Sequence, residues 1–144
     1  MRSDPLRTYA LANRATLILI LALLSIASPV FGSDLAKSFK EAVRLGVAQE
    51  GAPSTKDYFT NTLLPYYSQE YGPVLHSCFA NISKPDLTKF SFVVAMGADG
   101  KMLRLYHDRE TNMFRCMRVR LKNDSFPPPP EVPYYLYIEM TLSE

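Results

Sequence analysis

The sequence predicts an α+β fold, a two-layer sandwich in which a three-stranded antiparallel sheet carries two helices on one face, preceded by an N-terminal helical segment. Three observations predict it. Two runs of alternating apolar residues flank an Asp99-Gly100 turn, which is the pattern of a β-hairpin. Apolar residues recur at helical spacing both before and after this hairpin. A third run with strand alternation follows near the C-terminus.

Residues 1–32 are expected to be a signal peptide. The segment begins with three arginines and one acid and continues as an apolar stretch of signal-peptide length. Val30 and Gly32 stand at the positions that signal peptidase reads, which favours cleavage before Ser33. The alternative is an uncleaved membrane anchor, because the apolar stretch is near the lower limit for crossing a bilayer. The sequence therefore predicts a periplasmic or secreted protein, or one anchored in the inner membrane and facing the periplasm.

Composition excludes two classes of protein. The chain has 144 residues, of which 47% are apolar, and this is enough for one domain. Without residues 1–32 it keeps 13 basic and 13 acidic residues, so its net charge is zero. A balanced charge excludes a strongly basic nucleic-acid binder, and the apolar content excludes a disordered polyelectrolyte. We predict no nucleic-acid partner.

An N-terminal extension, residues 33–72, precedes the predicted domain at 73–144. Its first part has apolar side chains on one helical face, with Ser33 or Asp34 as the expected N-cap. A second short helix is expected after Ser54. Its predicted limit is Pro65, because proline lacks a backbone N–H. Nothing in these patterns assigns the extension a position on the sheet.

The predicted domain contains two helices and three strands in the order α–β–β–α–β. Its first helix starts at Pro73, and a polyproline run at Pro127–Pro130 separates the second helix from the last strand. The predicted helices span 73–83 and 111–122, and the predicted strands span 90–96, 102–108 and 134–142.

Both cysteines lie in the part of the chain that is expected to be exported. An even number of cysteines in a small exported domain favours a disulfide between Cys78 and Cys116. Loop-closure entropy gives such a bridge about 4 kcal/mol of stabilisation. Two buried thiols are an alternative. A zinc site with His76 and His107 is another, but the spacing lacks the short pairs typical of structural zinc, so no metal is predicted.

The order of these motifs resembles the TonB C-terminal-like domain. The resemblance rests on the strand Phe90–Met96, the Ala98-Asp99-Gly100 turn, the next strand and helix, the Phe126–Pro129 motif and the closing strand. The cysteine placement resembles the gliding-motility-associated branch of that family, which has one cysteine before the first strand and one in the helix before the Phe-Pro motif. The resemblance covers roughly residues 73–142. It implies a binding or adaptor domain of the bacterial envelope that pairs an edge strand with a partner peptide.

Two sets of side chains are candidates for contact with such a partner. Tyr135 and Tyr137 share the strand face opposite the inward Leu136 and Ile138, so either a second packing layer or a partner must cover them. A basic ridge on the second helix could bind an acidic partner or a membrane surface, or could be a solvated face. This ridge consists of Arg115, Arg118 and Lys122.

Catalysis is not predicted. His76 and Cys78 are two residues apart on a helix and face different directions, and a disulfide would consume the thiol. His107 and Asp108 are adjacent on a strand and point to opposite faces. The sequence has no glycine-rich phosphate loop and no nucleophile elbow, and we predict no cofactor. The predicted function is a non-enzymatic envelope adaptor. The alternatives are a small secreted inhibitor of an envelope hydrolase and a membrane-anchored, transducer-like protein.

Overall fold

The computed structural model describes residues 34–143, so the predicted signal peptide lies outside the described residues. Within residues 34–143, no helix combines the length and the hydropathy that a membrane span requires. The elements, in chain order, are α1 (Phe39–Gly51), α2 (Lys56–Tyr58), a π-helical turn (Phe59–Leu63), α3 (Leu64–Asn81), β1 (Phe90–Met96), β2 (Met102–His107), α4 (Asn112–Leu121) and β3 (Tyr134–Met140).

The three strands form an antiparallel sheet in the order β2-β1-β3. All seven residues of β1 are buried, because the strand is central and covered on both faces. The β1–β2 turn needs Gly100, which has a φ of 74°; a Cβ there would overlap the Phe126 carbonyl. The hairpin and the closing strand are confirmed at nearly their predicted bounds.

Helices α3 and α4 pack side by side on one face of the sheet, as predicted. Thr111 caps α4 by accepting a hydrogen bond from the Phe114 N–H at 3.0 Å. The predicted disulfide between Cys78 and Cys116 is present, and its Cα atoms are 5.9 Å apart. It joins the two helices beneath a core whose largest members are Tyr71, Phe90, Phe92, Phe114, Phe126 and Tyr134.

The N-terminal helix α1 covers the opposite face and adds a third layer, a position that the sequence pattern did not assign. Val93, Ala95 and Tyr135 are buried beneath it. The N-cap of α1 is Ser38 and not Ser33 or Asp34. Ser38 Oγ accepts from the Glu41 N–H, while the Glu41 carboxylate accepts from the N–H of Lys37, so two otherwise free donors are satisfied together.

The helical segment at 56–81 runs through Pro65, where the second short helix was expected to end, and through Pro73, where the next helix was expected to start. The predicted start at Pro73 is wrong, because α3 begins at Leu64. Pro65 lies in the first turn of α3, where a missing N–H costs little, and the wider π turn precedes it. Pro73 frees the Gln69 carbonyl, but both residues are exposed, so that carbonyl lies on the solvent side.

Candidate functional site

The outer edge of β2 presents open backbone hydrogen-bonding groups. Directly after β2, the Asp108 N–H donates to the Ser91 carbonyl of β1 at 3.1 Å. This bond shows which residues of β2 direct their backbone N–H and C=O groups toward β1. By strand alternation, Leu105 and His107 direct their N–H and C=O groups away from β1. Within the described part of the chain, no other segment pairs with these groups.

The outer edge of β3 is closed by α1. The Tyr135 N–H donates to Gln49 Oε1 at 2.8 Å, and Gln49 Nε2 donates to the Pro133 carbonyl at 3.1 Å. The side-chain amide therefore takes the place of a neighbouring strand. One turn earlier, a Cβ on Gly46 would lie 2.8 Å from the Tyr135 oxygen and 3.5 Å from the Tyr137 nitrogen. The helix backbone thus lies directly against this edge.

A groove runs beside the open edge of β2. Its volume is about 360 Å³, and it is lined by Lys37–Phe39 at the start of α1 and by Arg104–His107 of β2. The groove is shallow and open to solvent, and it adjoins the unpaired backbone of Leu105 and His107.

The wall of this groove is held in place by Ala36. Its N–H donates to the Tyr135 hydroxyl at 3.0 Å, and its carbonyl accepts from the Tyr106 hydroxyl at 2.7 Å. Arg104 Nη1 donates to the same carbonyl at 3.4 Å, with its guanidinium 5.8 Å from the centre of the Tyr106 ring. These contacts fix both the chain before α1 and the position of the Arg104 charge.

The other side of β2 faces the layer of α3 and α4. Leu105 is half-buried against the main core. The His107 ring lies 4.8 Å from the Phe114 ring, and its Nδ1 is buried with no hydrogen-bond partner among the described residues. An added strand at β2 would therefore lie beside the apolar side chain of Leu105 on this side.

The two tyrosines proposed for partner contact are covered by a packing layer of the chain itself. Tyr135 is only 2% exposed beneath α1. Tyr137 is half-buried beside Gly46, and its hydroxyl donates to Glu139 Oε2 at 3.1 Å. Of the two possibilities that the sequence left open for these residues, the structure contains the second packing layer.

The basic ridge lies on α4, in the layer opposite the one that covers Tyr135. Arg118 pairs with Glu110 at 2.7 Å and lies 5.9 Å from the centre of the Phe114 ring. Arg115 and Lys122 are exposed. The structure therefore does not bring the ridge and the tyrosine pair into one site.

Tyrosine side chains of the helical segment hold the proline connector. The hydroxyls of Tyr58 and Tyr66 donate to the carbonyls of Pro127 and Ser125, at 2.6 and 3.0 Å. Burial raises the pKa of Tyr58 to about 12, because the charged phenolate would be poorly solvated. The start of the polyproline run is therefore bound by side chains of the helical segment.

No group of three or more histidine, cysteine, aspartate or glutamate side chains in residues 34–143 could hold a metal ion. Comparison with protein families, curated proteins and solved structures finds no match to this chain. The resemblance to the TonB C-terminal-like domain stays a prediction based on the order of motifs.

The open edge of β2 and the groove beside it were not predicted from the sequence. The Asp99-Gly100 hairpin predicts only that β2 pairs with β1 on one side.

Proposed function

We propose that this chain is an exported, non-enzymatic protein of the cell envelope that binds a protein partner by strand pairing at β2. The observation that carries the proposal is the row of unpaired backbone groups at Leu105 and His107, with a groove beside it. A partner segment in extended conformation would add a fourth strand there. The edge of β3 is less suitable, because Gln49 and Gly46 occupy it.

Four backbone groups of β2 are available for the pairing. Two residues with outward N–H and C=O groups offer about four hydrogen bonds, each with a net contribution of about 1 kcal/mol. Such edges are usually shielded in soluble proteins, since they invite pairing with other chains. A register shift opposite Ala95 and Met96 makes the first half of β2 irregular, so only its second half offers a regular edge for pairing. The expected interaction is therefore short and reversible.

Export is part of the proposal and rests on the sequence. A cleavable signal peptide at residues 1–32 would deliver the domain to the periplasm or beyond. The Cys78–Cys116 bridge is consistent with such an oxidising compartment. The proposed partner is a protein or peptide of the envelope.

Selection from a random peptide library on the purified protein tests the strand pairing. We expect selected peptides to slow hydrogen exchange at the Leu105 and His107 amides, measured by NMR on the unsubstituted protein. His107→Pro should abolish binding, because it removes an outward N–H without breaking a β1–β2 bond. Glu139→Pro, which removes an outward N–H from β3, is the matched control and should bind normally.

Amide exchange on the unsubstituted protein keeps this test independent of the folding of either variant. Peptides that bind while leaving both β2 amides in fast exchange would overturn strand pairing at this edge. A library that yields no binder would also count against the proposed function.

A further inference from the structure

We propose that the segment that pairs with β2 alternates acidic and apolar side chains, with the acidic ones directed toward Lys37 and Arg104. This inference rests on the proposed function, since it describes what a strand bound at that edge would carry. It assigns a partner chemistry to the groove between the start of α1 and β2.

The groove has a positive charge. Lys37 and Arg104 line it, both are exposed, and neither forms an ion pair within residues 34–143. Among the described residues, Arg104 donates to the neutral Ala36 carbonyl and pairs with no carboxylate, which leaves its charge uncompensated. The segment around the start of α1 also carries two acids, Asp34 and Glu41, and Glu41 keeps its charge while it accepts from the neutral Lys37 backbone N–H. Lys40 and Arg44 lie with Glu41 around an adjoining hollow, so this acid does not reverse the sign of the surface.

The alternation follows from the two faces of β2. Arg104 and Tyr106 point to the α1 face, whereas Leu105 and His107 point to the face of α3 and α4. A strand paired with β2 places successive side chains on the same two faces. Carboxylates on one face would meet Lys37 and Arg104, and apolar side chains on the other would lie beside the half-buried Leu105.

The same charges disfavour a second copy of this chain as the occupant. Pairing β2 with β2 of another copy would bring two Arg104 side chains and two Lys37 side chains to one short edge. Like charges facing each other across paired strands are destabilising, and charged residues at an edge are a common protection against self-association. An acidic segment removes this repulsion, whereas a second copy adds to it.

Three fluorescent peptides of about eight residues test the inference on the purified protein, alternating valine with glutamate, glutamine or lysine. By fluorescence anisotropy, the glutamate peptide should bind about five- to tenfold more tightly than the glutamine peptide, as expected for two exposed ion pairs. The lysine peptide should bind most weakly. Added salt should reduce the preference.

Charge-removing variants locate the effect. Lys37→Gln combined with Arg104→Gln should make the glutamate and glutamine peptides bind equally. Lys56→Gln combined with Lys84→Gln removes the same charge from exposed positions elsewhere in the chain and should leave the preference intact.

Each contrary outcome has a separate meaning. Equal binding of the glutamate and glutamine peptides, abolished by His107→Pro, would overturn the acidic preference and leave strand pairing in place. Failure of all three peptides would overturn this inference, while the library selection decides the proposed function. Dimerisation of the protein that is lost in His107→Pro would identify a second copy as the occupant and overturn the inference.

Discussion

The Tyr58 hydroxyl donates a hydrogen bond of 2.6 Å to the Pro127 carbonyl oxygen, joining positions 69 residues apart. Tyr66 makes the same kind of contact with the Ser125 carbonyl, and the Tyr71 hydroxyl donates to Asp124 Oδ2 at 2.8 Å. Prolines have no N–H, so a polyproline connector cannot enter a ladder of backbone hydrogen bonds. Its position is instead set by side chains of the helical segment.

Tyr58→Phe is expected to lower the free energy of unfolding by about 1 kcal/mol, because the Pro127 carbonyl loses its half-buried donor. Urea denaturation measures the change. Tyr137→Phe is the matched control, since that hydroxyl bonds the exposed Glu139, and its effect should be close to zero. Equal effects of the two substitutions would show that the connector does not depend on the Tyr58 hydroxyl.

Stability should fall between about pH 10 and pH 12. Burial raises the pKa of Tyr58 from 10.0 to about 12, and it also raises the pKa values of Tyr67 and Tyr134. In this window the unfolded chain has released phenol protons that the folded chain keeps, so rising pH favours unfolding. Urea titrations across the window should show the decline, with a smaller slope in Tyr58→Phe. A flat profile would contradict the burial of these phenols.

Gly46→Ala is expected to destabilise the protein by about 1–3 kcal/mol, although alanine is the better helix former. The new Cβ would lie 2.8 Å from the Tyr135 carbonyl and 3.1 Å from the Tyr137 Cβ, so α1 has to move away from the sheet. Gly51→Ala, on the same helix, has nothing within 4 Å and should be neutral or slightly stabilising. Thermal unfolding measures the melting temperatures of both variants. Equal melting temperatures would mean that α1 does not pack closely against β3 at Gly46.

Gln49→Leu should open the edge of β3. The Tyr135 N–H would lose its acceptor, and its amide hydrogen exchange should accelerate by tenfold or more, since about 1.4 kcal/mol corresponds to a factor of ten. The Leu136 amide, which faces β1, should be much less affected. Gln69→Leu, at an exposed helical position, controls for the change in composition. Unchanged exchange at Tyr135 would mean that the backbone of α1 shields this edge without the amide.

Local patterns predicted the elements of the fold better than their long-range packing. Strand alternation around the Asp99-Gly100 turn identified β1 and β2, because a side-chain period of two is a property of the strand itself. Pro65 and Pro73 misled the helix prediction, because local sequence does not show the long-range contacts of this helix, such as that of Tyr71 with Phe126. Such contacts join distant segments and leave no periodic signal.

The candidate site was harder to predict for the same reason. The alternation at Tyr135 and Tyr137 correctly showed that a covering layer was needed, but not that α1 supplies it. The position of α1 against the sheet depends on Gly46 and Gln49, which do not contribute to a hydrophobic pattern in the sequence. Because α1 covers the outer edge of β3, the outer edge of β2 at Leu105 and His107 is the one left open. This can be seen only when all three layers are in place.

The position of α1 also sets the order in which the chain can complete its fold. α1 is synthesised before any strand. The residues that Gly46 and Gln49 contact, however, are Pro133 and two residues of β3, Tyr135 and Tyr137. A nascent chain that has emerged only as far as β2 contains a helix without its docking surface and a central strand with one neighbour. The three layers therefore close only after Tyr137 has left the ribosome.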